Sequence, residues 1–271
     1  MKIHPLNTKL GCLLNAVYMK NPLDENAVIP LRDQLREARE HAINDAEAYS
    51  ELLFAFERLG CILKKKIGTL SECEGVIRAL AGSSDLARKI PKQWRDWHMP
   101  ASRLYDLIRV ARNDALHQGA FARHLTTHAI QLEIVLEDAL MSKATNVGDY
   151  MVQNPICAQL WQPISFIRQQ MLANAFSYLP VLNQAGEWCL VSDLVIAKYL
   201  RDNSSKRDAR LALPLLDAVT SDDISLIKAK LYPADTLIDT IMAEISSIPV
   251  LIYRCDHPKD LLGILTVFDL L

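Results

Sequence analysis

Residues 226–270 read LIKAKLYPADTLIDTIMAEISSIPVLIYRCDHPKDLLGILTVFDL and repeat the pattern of residues 156–194, ICAQLWQPISFIRQQMLANAFSYLPVLNQAGEWCLVSDL. The aligned residues are identical or chemically similar: Pro163 with Pro233, Met171 with Met242, Pro180 with Pro249, and Ser192 with Thr266. Each copy predicts a short strand, a helix, a strand that begins at Leu-Pro-Val or Ile-Pro-Val, a hairpin, and a strand that ends in a hydroxyl residue. The second half of the chain is therefore a duplicated unit of strands and helices.

The residues that precede the duplication have a helical pattern. Over residues 30–144, apolar side chains recur at steps of three and four, as at Leu31, Leu35 and Ala38, and helix-forming residues are frequent. This pattern predicts an all-helical bundle of about five helices. Together with the duplication, it predicts the fold class α+β.

Length and charge agree with two domains. The chain has 271 residues, which is enough for two cores of ordinary size. The predicted domains are a helical domain at 1–145 and a second domain at 146–271, whose two repeats occupy about 147–203 and about 214–271. The helical domain carries 20 Lys and Arg against 18 Asp and Glu, and the second domain carries 10 against 14, which together return the net charge of -2.

Basic residues are concentrated in one part of the helical domain. The segment from Arg58 to Arg123 holds 13 basic and 6 acidic residues. This excess of positive charge is suited to a polyanion, and it is equally typical of a solvated helix face. Trp94 and Trp97 lie within the segment, where they either stack on bases or anchor a loop to the core.

The composition excludes several classes of protein. With 50% hydrophobic and 23% charged residues the chain is not mainly disordered, and its 9 glycines form neither a Walker loop nor a GxGxxG turn. The 6 cysteines have no CxxC spacing. No segment approaches the ~18 apolar residues of a membrane span. We therefore expect a cytoplasmic protein with reduced thiols and no membrane partner.

The second repeat ends in a string with a specific pattern. Residues 263–269, GILTVFD, contain a glycine, two apolar residues, a threonine, two further residues and an aspartate. With PADTL at 233–237 and SSIPV at 246–250, this string resembles CBS domains, and the duplication resembles a tandem CBS pair, or Bateman module, of β-α-β-β-α repeats. The resemblance implies that Thr266 contacts phosphate and that Asp269 chelates the ribose hydroxyls of a regulatory adenosine nucleotide such as AMP, ADP or ATP. The chain ends two residues after this string, where the family continues into a helix, so we expect the second repeat to be trimmed or completed by another element.

The resemblance also implies a cleft that both repeats complete. Besides Thr266 and Asp269, its ligand-binding residues are Ile264 and Ser246 from the second repeat and Ile156, Phe176, Ser177, Tyr178 and Ser192 from the first. In the first repeat Val195 stands where the ribose-binding Asp belongs and Asp193 is off register, so we expect one competent and one degenerate cleft. We expect Asp269 at an exposed strand end, because carboxylates avoid burial unless they are paired. The alternative is a CBS pair that serves as a dimerisation platform without ligand.

The helical domain contains a motif of its own. RNDALH at residues 112–117 has the arginine, polar residue, three residues, histidine pattern of HEPN domains, and this resemblance covers roughly residues 30–144. HEPN domains are small helical bundles, many of them metal-independent endoribonucleases. The resemblance implies that His117 acts as base or acid, that Arg112 binds the phosphate oxygens, and that Asn113 orients either one.

The spacing of this motif leaves two ways to bring its side chains together, a distorted turn or a second subunit, and the resemblance implies the second, a homodimer. On an ideal helix a five-residue step turns through ~500°, so Arg112 and His117 of one copy are about 140° apart. HEPN family members pair these helices across a two-fold axis and form one site from two motifs, and Bateman modules pair as well. In the alternative, structural interpretation, Arg112 forms an ion pair with a neighbour such as Asp114, and His117 is a helix-end residue.

The combined prediction is a metal-independent endoribonuclease of HEPN type that cuts RNA and is regulated by an adenosine nucleotide bound to its CBS pair. Catalysis needs no cofactor in this prediction. The alternative function is a non-catalytic adenine-nucleotide sensor or a partner-binding scaffold, for example a toxin-antitoxin or defence component. His124 and His128 stand four residues apart, but no Glu or Cys accompanies them at HExxH spacing, so we expect surface histidines and no metal.

Overall fold

The computed structural model describes residues 23, 25–45, 48–115, 119–201 and 206–271, without the side chains at 25–26, 112–115, 119–122 and 258–259. The chain divides into two compact units, Met1–Lys143 and Ala144–Leu271. In this described part of the chain, no helix has both the length and the apolar character that crossing a membrane requires.

The first unit consists of helices and loops in its described residues. Its helices are α1 (Glu25–Asn44), α2 (Tyr49–Lys64), α3 (Leu70–Ala81), α4 (Asp85–Arg88), α5 (Ile90–Gln93), α6 (Ala101–Ala115) and α7 (Gly119–Met141). The sequence predicted about five helices, and the two four-residue helices α4 and α5 account for the difference. Both follow Ser84, whose Oγ accepts a hydrogen bond from the Leu86 N–H at 3.0 Å and so caps α4.

The long helices of the first unit are amphipathic, and their apolar faces share one core. Helix α1 buries Leu31, Leu35 and Ala38 at the predicted steps. The core joins buried side chains from α1, α2, α3, α6 and α7. The start of α3 is fixed by Thr69 and Glu72, because the Glu72 carboxylate accepts a hydrogen bond from the Thr69 N–H at 2.7 Å. That hydrogen bond lowers the pKa of Glu72.

Four ionisable side chains link α1 to α7. Arg39 Nη1 lies 2.7 Å from an oxygen of Glu133 and 2.7 Å from an oxygen of Glu137, and Arg36 also pairs with Glu137. Glu133 is fully buried, and this burial raises the pKa of its carboxyl group to about 8, although Arg39 opposes the rise. The pairs fix α1 against α7, because buried polar groups are stable only where they find partners.

The second unit alternates short strands with helices. Its helices are α8 (Val147–Tyr150), α9 (Ile164–Asn174), α10 (Asp193–Arg201), α11 (Arg207–Ala212), α12 (Leu215–Thr220) and α13 (Ile238–Met242). Its strands are β1 (Val152–Gln153), β2 (Tyr178–Leu182), β3 (Trp188–Ser192), β4 (Ile227–Lys228), β5 (Lys230–Pro233), β6 (Val250–Arg254) and β7 (His257–Leu265), and a 3-10 turn (Val267–Leu270) follows β7. The predicted fold class, α+β, is confirmed.

The strands form two sheets in which the repeats exchange a strand. One sheet has the order β1-β7-β6-β5 and the other has the order β2-β3-β4. Strand β1 opens the first repeat but pairs antiparallel with β7 of the second, with Val152 opposite Ile264. Strand β4 opens the second repeat but pairs antiparallel with β3 of the first, with Lys228 opposite Cys189. Each repeat therefore contributes one strand to the sheet of the other.

After each exchanged strand the chain crosses back to its own repeat. Beyond β1, Ala158 forms a parallel bridge with Val181 of β2, and its N–H donates to the Pro180 carbonyl at 2.8 Å. Beyond β4, strand β5 pairs parallel with β6, with Lys230 opposite Val250. These two crossings connect the sheets, and a small apolar cluster of Leu190, Ala229 and Leu251 is buried between them. Each repeat also has a core of its own.

Candidate functional site

The string at residues 263–269 forms the end of β7 and the turn that follows it. Thr266 is extended, with φ -114°, and precedes the 3-10 turn Val267–Leu270. Asp269 Oδ2 accepts two hydrogen bonds from Thr266, one from the backbone N–H at 2.8 Å and one from Oγ1 at 2.8 Å. The two residues that the resemblance assigns to phosphate and ribose are therefore in direct contact at one strand end.

Asp269 is buried, with only 8% of its surface exposed, so the expectation of an exposed aspartate is wrong. The physical reason is its role in the turn, since an Asp three residues after a Thr has the spacing of a capping box. The two donors from Thr266 compensate the carboxylate and allow its burial. The sequence contained this signal, because the Thr-x-x-Asp spacing was already visible in the string.

Ser192 has the corresponding position in the first repeat. It is buried, and its Oγ accepts a hydrogen bond from the Val195 N–H at 3.2 Å at the start of α10. Tyr178 lies opposite Ser192 in the β2–β3 ladder, and the Ser177 carbonyl accepts the Asp193 N–H at 2.9 Å. The strand register therefore brings Ser177, Tyr178 and Ser192 together at one end of the three-stranded sheet.

The four remaining predicted residues lie in different segments of the second unit. Ile264 of β7 and Tyr178 of β2 pack against the same apolar cluster between the sheets. Ile156 lies in the crossing after β1 and Phe176 follows α9, with 41% and 40% of their surfaces exposed. Ser246 is exposed and precedes β6, where its Oγ accepts a backbone hydrogen bond at 3.2 Å. That one ligand contacts residues from both sheets stays a prediction.

The structure contains a polar cluster on β5 that the sequence analysis did not predict. Lys230 Nζ donates to the Glu244 carbonyl at 3.2 Å, and the Tyr232 hydroxyl donates to the Glu244 carboxylate at 2.7 Å. The hydrogen bond between Tyr232 and Glu244 lowers the pKa of Glu244 and raises the pKa of Tyr232. Lys230 is opposite Val250, which is in turn opposite Leu265. A cation therefore lies two strands from the end of β7.

A cavity of about 530 Å³ adjoins the crossing after β1, and none of the predicted site residues lines it. Its lining residues are Asn154, Pro155, Cys157, Trp188, Arg254, Asp260, Leu261 and Leu262. Burial raises the pKa of the Cys157 thiol, which keeps it protonated and poorly nucleophilic at neutral pH. The lining comes from four separate segments of the chain, so no local sequence pattern could predict it.

The predicted catalytic motif lies at the junction of α6 and α7. Arg112 and Asn113 belong to α6, but their side chains, and the whole of His117, lie outside the described residues. Helix α6 ends at Ala115 and α7 begins at Gly119, and the two helices pack against each other. The roles of the three motif residues and their pairing across a dimer stay predictions.

The structure describes two further pairs of residues in the helical domain, His124 with His128 and Trp94 with Trp97. The rings of His124 and His128 have centroids 5.3 Å apart, and burial, with the charge of His124, lowers the pKa of His128. The residues that the structure describes contain no group of three or more potential metal ligands. Trp94 and Trp97 are 58% and 79% exposed, so they do not anchor their loop to the core.

The chain has structural neighbours but no sequence match. No family model matches it, and no curated protein does. It is similar to a CBS-domain-containing protein of Agrobacterium tumefaciens, with 15% identity and a TM-score of 0.35 over 46% of this chain and 90% of that chain. It is also similar to CbpB in complex with c-di-AMP, with 14% identity and a TM-score of 0.37 over 48% and 84% of the two chains. A third similar structure is a CBS domain pair in complex with 5′-methylthioadenosine and S-adenosyl-L-methionine, with 18% identity and a TM-score of 0.35 over 46% and 96%.

Proposed function

We propose that the second unit binds an adenosine nucleotide between its two repeats and regulates the protein through it. The observation that carries this proposal is the contact of Thr266 with Asp269 at the end of β7. Together they offer a hydroxyl for a phosphate and a carboxylate for the two vicinal hydroxyls of ribose. Half-exposed apolar side chains, Ile156 and Phe176, supply the kind of wall that an adenine ring needs.

The two repeats differ in a way that predicts the stoichiometry. The second repeat has Asp269 three residues after its hydroxyl residue, whereas the first has Val195 at that position after Ser192. A valine provides no acceptor for ribose hydroxyls. We therefore expect one nucleotide per chain, which isothermal titration calorimetry measures directly.

The test is calorimetry of the full chain with AMP, ADP and ATP, extended to c-di-AMP, S-adenosyl-L-methionine and 5′-methylthioadenosine because similar structures hold these ligands. Asp269→Asn keeps an amide oxygen to accept the two hydrogen bonds from Thr266, so the turn is retained, but it loses the charge and one acceptor. We expect its Kd to rise by more than about tenfold, or ~1.4 kcal/mol.

Asp193→Asn is the matched control, because Asp193 follows the corresponding hydroxyl residue in the first repeat but is exposed and off register. It should bind like the wild type. An unchanged Kd for Asp269→Asn would place the nucleotide elsewhere. Failure of every adenosine ligand to bind would refute the proposal and favour the CBS pair as a dimerisation platform.

The second candidate function, for the first unit, is metal-independent cleavage of RNA. It is favoured by the position of the RNDALH string, whose first four residues end α6, a helix that packs against α7. In this proposal the ribose 2′-oxygen attacks the phosphorus and the 5′-oxygen leaves. His117 takes the proton of the 2′-hydroxyl or gives a proton to the 5′-oxygen, Arg112 stabilises the phosphate charge, and Asn113 orients them. His117→Ala should abolish cleavage of a labelled RNA in the presence of a chelator, while His124→Ala, a nearby control, should not.

In this proposal the site is formed by two copies of the chain, as in the HEPN domains that the motif resembles, with Arg112 of one copy close to His117 of the other. A mixture of Arg112→Ala and His117→Ala chains should therefore recover part of the activity, since a mixed dimer keeps one His117 and one Arg112, contributed by different subunits. Light scattering should give twice the mass of one chain. A purified dimer that cuts no RNA with or without nucleotide would leave the sensor or scaffold as the function.

A further inference from the structure

A short segment of the first unit displays two tryptophans to solvent. Residues 92–98, KQWRDWH, which we call the Trp turn, are all exposed. Trp94 and Trp97 have 58% and 79% of their surfaces exposed, although large aromatic side chains are normally well buried. Large apolar side chains that are exposed close together indicate a binding surface.

The Trp turn has a defined backbone. The Trp94 carbonyl accepts hydrogen bonds from the N–H groups of Trp97 at 3.1 Å and His98 at 3.0 Å, and the Trp94 N–H donates to the Ile90 carbonyl at 2.9 Å. Pro91 before the turn is buried, and Met99 after it packs against the helical core. A turn of this kind keeps its first and fourth Cα atoms within about 7 Å, so both indoles extend from one small platform.

The charges around the indoles are mainly positive. Lys92 and Arg95 make no ion pair with any described residue, whereas Lys89, just before the turn, pairs with Asp85 at 2.8 Å. Asp96 is the one acidic residue of the Trp turn. Two available cations beside two available ring faces form a surface that suits an anionic chain carrying flat, stackable groups.

We propose that the Trp turn binds single-stranded nucleic acid, with Trp94 and Trp97 stacking on bases and with Lys92 and Arg95 contacting phosphates. Stacking covers the rings and leaves Arg95 and Asp96, which lie between them, in water. Insertion into a lipid surface would instead bury those two charges together with the indoles, which is costly. The turn also offers no aliphatic side chain between residues 92 and 98 to assist insertion.

The test is fluorescence anisotropy of labelled single-stranded RNA and DNA titrated with the full chain. Trp94→Ala and Trp97→Ala should each raise Kd by about fivefold or more, because each removes one stacking partner. Trp161→Ala is the matched control, since Trp161 is 72% exposed but belongs to the second unit. It should leave Kd unchanged, and Trp97→Phe should restore most of the affinity lost in Trp97→Ala.

Salt dependence checks the phosphate contacts separately. Lys92→Gln should weaken binding for all sequences alike and reduce the slope of log affinity against log salt by about 0.7. Comparison of the Kd for single-stranded RNA with the Kd for single-stranded DNA decides which nucleic acid is preferred. An unchanged Kd in the double variant Trp94→Ala/Trp97→Ala, or no binding of either strand, would overturn the proposal. It would also be overturned if that variant lost binding only to vesicles of phosphatidylcholine and phosphatidylserine.

This inference is separate from the proposed ribonuclease and from the nucleotide site. Binding is measured in the His117→Ala background, where cleavage cannot consume the oligonucleotide. Tight binding without cleavage in the wild type would support the Trp turn and contradict the ribonuclease. Cleavage by the wild type, with a Kd for nucleic acid that does not depend on Trp94 and Trp97, would support the ribonuclease and contradict the role of the Trp turn.

Discussion

Two glycines of the helical unit allow a test of how closely α2 and α3 approach each other. A Cβ added at Gly60 of α2 would lie 2.4 Å from the Cys73 Cβ and 2.8 Å from the Cys73 Sγ of α3. A Cβ added at Gly75 of α3 would meet nothing within 4 Å. The same substitution, Gly to Ala, is therefore expected to have opposite effects at two helical positions.

The magnitudes follow from these distances. Carbon atoms in contact are about 3.5 Å apart or more, so Gly60→Ala forces the two helices to separate by roughly 1 Å. Overpacking of this kind costs about 1–3 kcal/mol, and the better helix propensity of alanine offsets up to about 1 kcal/mol of it. We expect Gly60→Ala to lower the free energy of unfolding by about 1–2 kcal/mol and Gly75→Ala to raise it by about 0.5–1 kcal/mol.

Urea unfolding followed by circular dichroism measures both changes. The second substitution Cys73→Gly removes the atoms with which the new methyl group collides, so it should be less harmful in Gly60→Ala than in the wild type. The double-mutant cycle should therefore show a favourable coupling of about 1 kcal/mol. If Gly60→Ala stabilises the chain as Gly75→Ala does, α2 and α3 are not in close contact at this point and the described packing is wrong.

Three further predictions concern buried groups. Glu133→Gln should gain stability relative to the wild type by up to ~1.4 kcal/mol for each pH unit between pH 4.5 and about 8. The reason is that a group whose pKa is raised in the folded state contributes stability that is lost as the pH rises through that pKa, and equal urea midpoints for the variant and the wild type across this window would contradict it. Leu251→Ala should cost about 2–5 kcal/mol by opening a cavity between the two sheets, while Leu172→Ala, 65% exposed, should cost little; similar thermal shifts for both would show that the intersheet cluster is unimportant. Ser84→Ala should cost about 1 kcal/mol through loss of the α4 cap, and no change in the unfolding midpoint would refute the capping role.

Local patterns in the sequence were sufficient to predict the hairpin of each repeat and the hydroxyl residue at its end. Ser192 and Thr266 each stand at the end of a strand, because the duplication gave two examples of the same short strand, hairpin and hydroxyl residue. Likewise, the apolar steps through Leu31 and Leu35 predicted the buried face of α1. Such features depend on the spacing of residues that are close together in the chain, and this spacing can be read from a single sequence.

Features that depend on distant residues were not predictable. Strand β1 has two residues, and nothing in Val152 or Gln153 indicates that its partner is β7, more than a hundred residues later. The cavity next to Trp188 is formed by separate segments for the same reason. Asp269 was different, since its capping spacing was present but its carboxylate was interpreted only as a ligand for ribose.

The exchange of β1 and β4 has a consequence for the origin of the chain. Because each repeat completes the sheet of the other, a half-length protein with one repeat would have a strand without a partner and a sheet without an edge strand. Two such proteins would satisfy each other through a true two-fold axis, in place of the approximate symmetry within the present chain. We expect an isolated repeat to be an obligate homodimer, which is the ancestor that fusion of two gene copies would convert into this unit.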